Sequence, residues 1–486
     1  MMARERNRER PVLRGETLEI PGRRNKMKTQ SRRHGTWNTT HRGATGGKRN
    51  KASLLPGLVA LVMVAAGCDG LLDVDNPNSL TTGDVEAPAS ARALANGVLS
   101  SLSVATGTVL RSHGTAADEF TRIGTHDFYD PLNAGNLQDP TNTLVDGPFG
   151  AAAEARWLGD HAVKVLREQV EAGHHESTRP LARSYLYTGL AYVLVADHFE
   201  NFAFSDRTQA APPVGPENMG QVYDQAIDYF TQGLNLAQQL QDTELTRAFY
   251  AARARARHAQ ILRERLQAGT ASQNPLVDDA ALVADLDAFF QSVEPGSGWR
   301  FEYTYSPSTV TNTVASTVNQ RGEIVWQTDY VLDPYSDDSS DRWTPTLQDP
   351  VDGIVDPILA QRIQEFADGD AYTPVTVLSA EELHLLRAEA ALARGDEATF
   401  GQEVNHVRGR YSGLSPFEGQ VDAQELLEHQ RRVVLLVTGR RLQDHYRFEA
   451  PSSNWRADSD AVRTPGTLFP MGARELRTNC FVLGTC

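Results

Sequence analysis

Cysteine is scarce, with three residues in 486, at positions 68, 480 and 486. That excludes a disulfide framework, and no spacing among the three forms a metal-ligand set or a redox pair. Cys480 and Cys486 either close a small loop in an oxidising compartment or stay as two thiols. Basic charge is scarce over most of the chain as well. Residues 1–67 hold fifteen of the 47 Lys and Arg and four of the 62 acids, which leaves 32 basic and 58 acidic residues, a net charge of −26, for residues 68–486. Such a surface repels phosphate, so nucleic acid and anionic headgroups are excluded as partners of the body, and neutral ligands remain open.

A membrane-spanning run is missing too. The apolar stretch LLPGLVALVMVAA, residues 54–66, has 13 residues, short of the ~20 that a helix needs to cross a bilayer. Preceded by Lys48, Arg49 and Lys51, it reads as the core of a signal peptide behind a basic leader, with Met27 an alternative start. Ala65, Ala66 and Gly67 lead directly into Cys68, the pattern of a lipobox in which the thiol is acylated and becomes the first mature residue. Acyl chains, at ~0.8 kcal/mol per buried methylene, then replace a spanning helix as the attachment. Residues 1–67 are expected to be removed and residues 68–83 to serve as a lipidated tether.

The catalytic fingerprints are absent: there is no G-x-S-x-G, H-E-x-x-H, P-loop or dinucleotide motif. His174, His175 and Glu176 adjoin one another in a connector and read as a solvated turn. Asp333, Asp337, Asp338 and Asp341 lack the spacing of a calcium-binding loop. No cofactor is called for, and no metal site.

What is present is helical period. Residues 84–102 suggest a first helix, and residues 151–171, 180–198, 222–240 and 243–267 continue with apolar residues at intervals of three and four. Residues 111–149 show no period and are rich in Gly, Asn, Asp and Pro, which marks a long loop of functional type. Within 299–305 and 324–331 the period is two: Trp299, Phe301, Tyr303 and Tyr305 share a face, as do Ile324, Trp326, Thr328 and Tyr330. Two strands joined as a small β-hairpin are the simplest reading. Ser379 with Glu382 makes a capping box, Gly395 and Asp396 break that helix, a second follows, and residues 423–442 add another. The fold class is mainly α, a tetratricopeptide-like scaffold of helix pairs with long irregular loops. It divides into an N-terminal helical part at 84–270, an irregular and β insertion at 271–375, and a C-terminal helical part and tail at 376–486.

Aromatic residues carry the ligand expectation. Trp299, Trp326 and Trp343 fall near Tyr335, and Phe128 and Tyr129 accompany Asn133 and Asn136 in the long loop. A flat ring stacks on the apolar face of a sugar while neighbouring amides and carboxylates bond its hydroxyls. Core packing is the competing role for the same rings.

Several stretches together resemble the SusD/RagB family of outer-membrane nutrient-binding lipoproteins: CDGLLDVDNPN at 68–78, GLAYVLVADHFEN at 189–201, ELHLLRAEAALARGD at 382–396, RRVVLLVTGRRLQDHYRF at 431–448 and LFPMGARELRTN at 468–479. Val437, Thr438 and Gly439 stand where members usually carry an aromatic-acidic-glycine triplet, a mark of divergence. The resemblance implies a helical, non-enzymatic body with ligand-binding loops. It further implies attachment to the outer membrane, and delivery of a glycan or other nutrient to a SusC-like TonB-dependent transporter. An envelope scaffold that binds proteins is the alternative, and a glycosidase a weaker one.

Overall fold

Wherever apolar residues recur at three and four behind a capping side chain, the computed structural model forms a helix. It describes residues 82–206, 209–294 and 296–486, so Cys68 and the leader lie outside the described residues. Six long helices come first: α1 (Ala91–Ala116), α2 (Thr143–Glu171), α3 (Thr178–His198), α4 (Gly220–Gln239), α5 (Thr243–Gln267) and α6 (Ala280–Ser292). Asn142, Asp242 and Asp279 cap α2, α5 and α6 by accepting from Leu144 N at 2.8 Å, Leu245 N at 3.1 Å and Leu282 N at 2.8 Å. Each helix packs on its successor, and the short connections between α2 and α3 and between α4 and α5 make those neighbours antiparallel. The α3–α4 crossing is close enough that a Cβ on Gly189 would meet Phe230 Cε1 at 2.4 Å, so only glycine fits there.

The second block holds α7 (Pro357–Asp368), α8 (Ala380–Ala393), α9 (Glu397–Arg408), α10 (Ala423–Val434), α11 (Arg441–Arg447) and α12 (Ala473–Thr478). Ser379 caps α8 by accepting from Glu382 N at 3.1 Å, but the Glu382 carboxylate turns to Arg440 at 3.2 Å instead of completing a box. Gly395 is left-handed at φ +73°, and Asp396 caps α9 through Thr399 N at 3.0 Å. The expected single helix at 423–442 is two. Val437 (φ +57°) and Gly439 (φ +79°) break it, and the Val437 N–H donates to the buried Glu119 carboxylate at 2.7 Å.

Two further expectations are corrected. The long loop begins later and ends earlier than 111–149, because α1 runs to Ala116 and α2 starts at Thr143. The added turns of α1 are rich in Ser and Thr, whose hydroxyls bond back to carbonyls of the preceding turn, as Thr108 does to Val104 O at 2.8 Å and Thr115 to Arg111 O at 3.0 Å. Thr115 is thereby buried inside a helix without a partner elsewhere. The predicted hairpin does not form. Its strands exist, but β2 (Arg300–Tyr303) pairs with β4 (Val375–Ser379), and β3 (Ile324–Trp326) pairs with β1 (Phe120–Arg122), both antiparallel. Cross-strand neighbours from other parts of the chain bury these apolar faces better than the two strands bury each other.

The described residues fall within one compact unit, Pro77–Cys486. The segment Pro88–Ala116 is long and apolar enough to cross a membrane, yet most of it is buried within the body, so it serves as a core helix. Unusually many charges are buried beside it. Arg447, fully enclosed, bonds Glu389 at 2.5 Å and Asp444 at 2.9 Å, Arg431 reaches Asp444 at 3.0 Å, and His258 reaches Glu389 at 3.0 Å. This network ties α5, α8, α10 and α11 together. Pairing holds the Glu389 and Asp444 carboxyls below their ordinary range although burial alone would raise them.

Candidate ligand-binding face

The long α1–α2 connection and the segment after β3 meet at the β1–β3 pair, where Phe120 faces Trp326, Thr121 faces Val325 and Arg122 faces Ile324. Glu323 fastens the first loop: its carbonyl accepts from the N–H groups of Ile123 at 3.0 Å and Gly124 at 3.1 Å, and its carboxylate accepts from His126 N at 3.0 Å. A Cβ on Gly124 would sit 2.3 Å from that carboxylate. The second loop closes on itself, since Leu332 N donates to Thr344 O and Thr346 N to Tyr330 O, each at 2.9 Å. Its tip returns to the strand pair through Tyr335, whose hydroxyl lies 2.8 Å from Thr121 Oγ1.

The aromatic residues expected at the site separate into three groups. Phe128 (42 % exposed) and Tyr335 (61 % exposed) present their rings to solvent. Trp343 is half-buried at the base of the second loop, edge-on to Trp326 at 6.5 Å. Trp326 and Tyr129 are buried, Trp326 among Phe120 at 5.0 Å and Phe366 at 5.2 Å; in this conformation neither has surface to offer a ligand. Trp299 belongs elsewhere, packed on Phe289 at 5.0 Å with its indole N–H donating to Glu244 at 3.2 Å.

The amides divide similarly. Asn133 donates to Phe120 O at 2.8 Å and Thr115 O at 3.1 Å and accepts from Arg122 N at 3.1 Å. Its amide is thus committed to holding the loop against β1. Asn136 is half-buried one turn further on, its backbone N–H donating to Pro131 O at 2.8 Å. The exposed rings are bordered by exposed carboxylates, Asp127, Asp130, Asp333, Asp337 and Asp338. Arg122 is neutralised by Asp130 at 2.5 Å and 2.8 Å.

Residues that sequence inspection did not single out support this face from below. Asp118 (φ +67°) pairs with Arg441 at 3.1 Å and His445 at 3.2 Å and accepts from Tyr330 OH at 3.3 Å. Arg432 covers the Tyr330 ring at 4.5 Å. Burial raises Glu119 to about 8, its Val437 bond opposing the shift and the Asp118 charge adding to it, and its Oε2 has no hydrogen-bond partner among the described residues. At least 102 residues separate these groups from their partners, and 318 separate Glu119 from Val437, so no local pattern could have signalled them.

Three of the four acids weighed for calcium brace turns: Asp333 accepts from Tyr335 N at 2.8 Å, Asp338 from Ser340 N at 2.9 Å, and Asp341 from Ser336 Oγ at 2.6 Å. Asp349, Asp356 and His429 bring ligand-type atoms within 4.8 Å of one another. Arg408, however, fills Asp349 from two nitrogens at 2.7 Å and 3.0 Å, and Asp356 caps α7 while accepting from His429 at 2.7 Å. The trio is a strut. Cys480 and Cys486 are joined as a disulfide.

No family model matches the sequence, and no curated protein matches it. Solved structures do match in fold. A SusD superfamily protein from Bacteroides fragilis aligns over 82 % of this chain and 99 % of its own, at 13 % identity and a TM-score of 0.56. A SusD superfamily protein from Bacteroides vulgatus aligns over 80 % and 96 %, at 12 % identity and a TM-score of 0.54. Another Bacteroides vulgatus protein, described as sugar-binding, aligns over 81 % and 97 %, at 12 % identity and a TM-score of 0.52. With its helix pairs and its two small sheets, the chain has the fold of the SusD superfamily structures it aligns with.

Proposed function

We propose that the protein is a surface lipoprotein that binds a glycan non-covalently and passes it to a SusC-like TonB-dependent transporter of the outer membrane. The observation that carries the reading is the pair of exposed rings, Phe128 and Tyr335, on loops pinned to a rigid strand pair. Large apolar rings held in water at defined positions cost solvation unless a ligand covers them, and a sugar face suits them. The sugar-binding description of a structure with this fold adds support. The acidic border excludes phosphorylated ligands and suits hydroxyl-rich ones, because a carboxylate accepts from sugar hydroxyls. A modest affinity is expected, since the cargo must be released. Cys68, with its lipobox-like approach, supplies the acyl attachment in this reading.

A glycan array followed by calorimetry on the best binder tests it. Binding that falls in Tyr335→Ala and Phe128→Ala supports the reading. A protein that binds no glycan, and that captures several soluble proteins from the envelope instead, would favour a scaffold.

A further inference from the structure

The loop Cys480–Cys486 carries three consecutive apolar side chains into solvent: Phe481 is 45 % exposed, Val482 37 % and Leu483 52 %. Exposed apolar triplets of this kind are costly in water and mark contact surfaces. The display is built. The disulfide closes the loop, Gly484 turns left-handed at φ +66°, and Asn479, buried, caps the helical turn Cys480–Leu483 by accepting from Phe481 N at 2.9 Å. Asn479 also anchors the loop to the body by donating to Ala211 O and Glu475, each at 2.8 Å.

The position of this loop says what covers it. Asn479 and Glu475 both contact Ser205, whose carbonyl accepts from Arg156 of α2. Five residues along the same helix, His161 pairs with Glu86 at 3.3 Å; five residues correspond to ~7.5 Å along the helix axis and about 140° around it, so the two contacts lie at one level of α2 on different sides. Glu86 ends the short helix Thr82–Glu86, at which the tether joins the body. Fourteen residues from Cys68 to Thr82 reach at most ~50 Å. Between the two contacts lies Trp157, half-buried and stacked on His161 at 5.5 Å. Three exposed cations, Lys164, Arg474 and Arg477, flank the region, and Lys164 is the only lysine after Lys51 in a strongly acidic body. An apolar tip, a half-buried tryptophan and a basic margin, at the level of α2 where Glu86 docks, are the composition of a surface that lies in a bilayer interface.

We infer that the disulfide-closed loop Cys480–Cys486 seats the protein on a phospholipid bilayer, with Phe481, Val482 and Leu483 entering the headgroup–acyl boundary beside the tether. The inference rests on the lipid-anchor part of the proposed function. The contact is chiefly apolar, because the net negative body disfavours anionic headgroups, so binding to zwitterionic vesicles should change little with salt.

Flotation with phosphatidylcholine vesicles tests it, using the chain from residue 68 with Cys68→Ser so that no acyl group contributes. The described residues, from Thr82 on, fall within one compact unit. The parent should co-float, and the triple substitution Phe481→Ser, Val482→Ser, Leu483→Ser should lower partitioning about tenfold with an unchanged melting temperature. Vesicles with brominated acyl chains should quench tryptophan emission, and Trp157→Phe should remove that quenching. Equal flotation of parent and triple variant, or none of either, overturns the inference. So does cross-linking of Phe481 to a protein in intact cells without vesicle binding. Mass spectrometry of native Cys68 reports on the anchor separately: an unacylated sulfur with vesicle binding intact would sink the anchor and leave the seating loop standing.

Discussion

The hydroxyl of Tyr335 lies 2.8 Å from Thr121 Oγ1, across 214 residues of sequence. Thr121 is fixed in β1, so the bond makes a rigid bracket out of an otherwise free loop tip. The ring remains 61 % exposed. Replacing Tyr335 by Ala is expected to weaken glycan binding by about 1 kcal/mol, roughly fivefold, the scale of one aromatic stacking contact. Tyr335→Phe keeps the ring and loses only the bracket, so it should retain most of the affinity. Calorimetry separates the two, and thermal denaturation should show little change for either because the ring is not core.

Trp326 behaves in the opposite way. It is wholly buried between Phe120 and Phe366, within the strand pair to which both loops are fastened. Trp326→Ala should cost about 3–5 kcal/mol of stability, measured by urea denaturation. The urea midpoint should fall before glycan binding, measured on the folded fraction, is affected. A Trp326→Ala protein of parental stability would show that the β1–β3 pair is not packed as described.

Glu119 sets a pH prediction. Burial raises it to about 8, and burial raises Glu382 to about 7, with Arg255 and Arg431 opposing the second shift. A carboxyl whose folded-state pKa exceeds its unfolded value holds its proton more tightly when folded. Its stabilising contribution is complete below the unfolded pKa of ~4.3 and is lost as pH rises through the folded value. Between about pH 4.5 and 8 these two groups therefore lower stability as pH increases. Glu119→Gln cannot ionise, so its melting temperature should fall less than the parent's over that window. Asp118, held low by His445 and Arg441 against a burial effect that would raise it, loses its contribution only under strongly acidic conditions. Parallel melting curves for parent and Glu119→Gln from pH 5 to pH 9 would refute the assignment.

The helical frame was legible because period and caps agree: α5 occupies the residues that sequence assigned to it, and α3 extends them by only two at one end. The polar turns at the end of α1 were not: the hydroxyl of Thr115 is satisfied within the helix itself, but a run without apolar period reads as loop. Strand pairing was not legible either, since period two shows that Trp326 alternates but not that Phe120, two hundred residues earlier, lies opposite it. The site shows the same limit at its smallest scale. Phe128 and Tyr129 are adjacent and equally aromatic, yet one is 42 % exposed and the other 2 %. Which side of the short helix Tyr129–Asn133 faces the core is decided by Glu323 and Asn142, which fasten His126 N and Phe128 O. Neither could be identified as a partner from the loop's own sequence.

Arg408 and Asp349 give the sharpest stability test. Both side chains are enclosed, the guanidinium bonds Asp349 twice and Asp352 at 2.8 Å, and its Nε donates to Ser415 O at 2.7 Å. Burial alone would raise the Asp349 carboxyl, but the hydrogen bonds from Arg408 and Asp352 hold it below its ordinary range. Attraction and desolvation nearly cancel in such a pair, whereas removing Asp349 leaves the enclosed Arg408 with Asp352 as its one remaining carboxylate. Asp349→Ala should therefore destabilise by about 3–5 kcal/mol, and part of that loss should return in the double variant Asp349→Ala, Arg408→Met, which leaves no buried guanidinium. A double-mutant cycle in urea measures the difference. If the double variant is less stable than Asp349→Ala alone, the stem of Arg408 and its bond to Ser415 outweigh the charge, and the pair is held by packing more than by electrostatics.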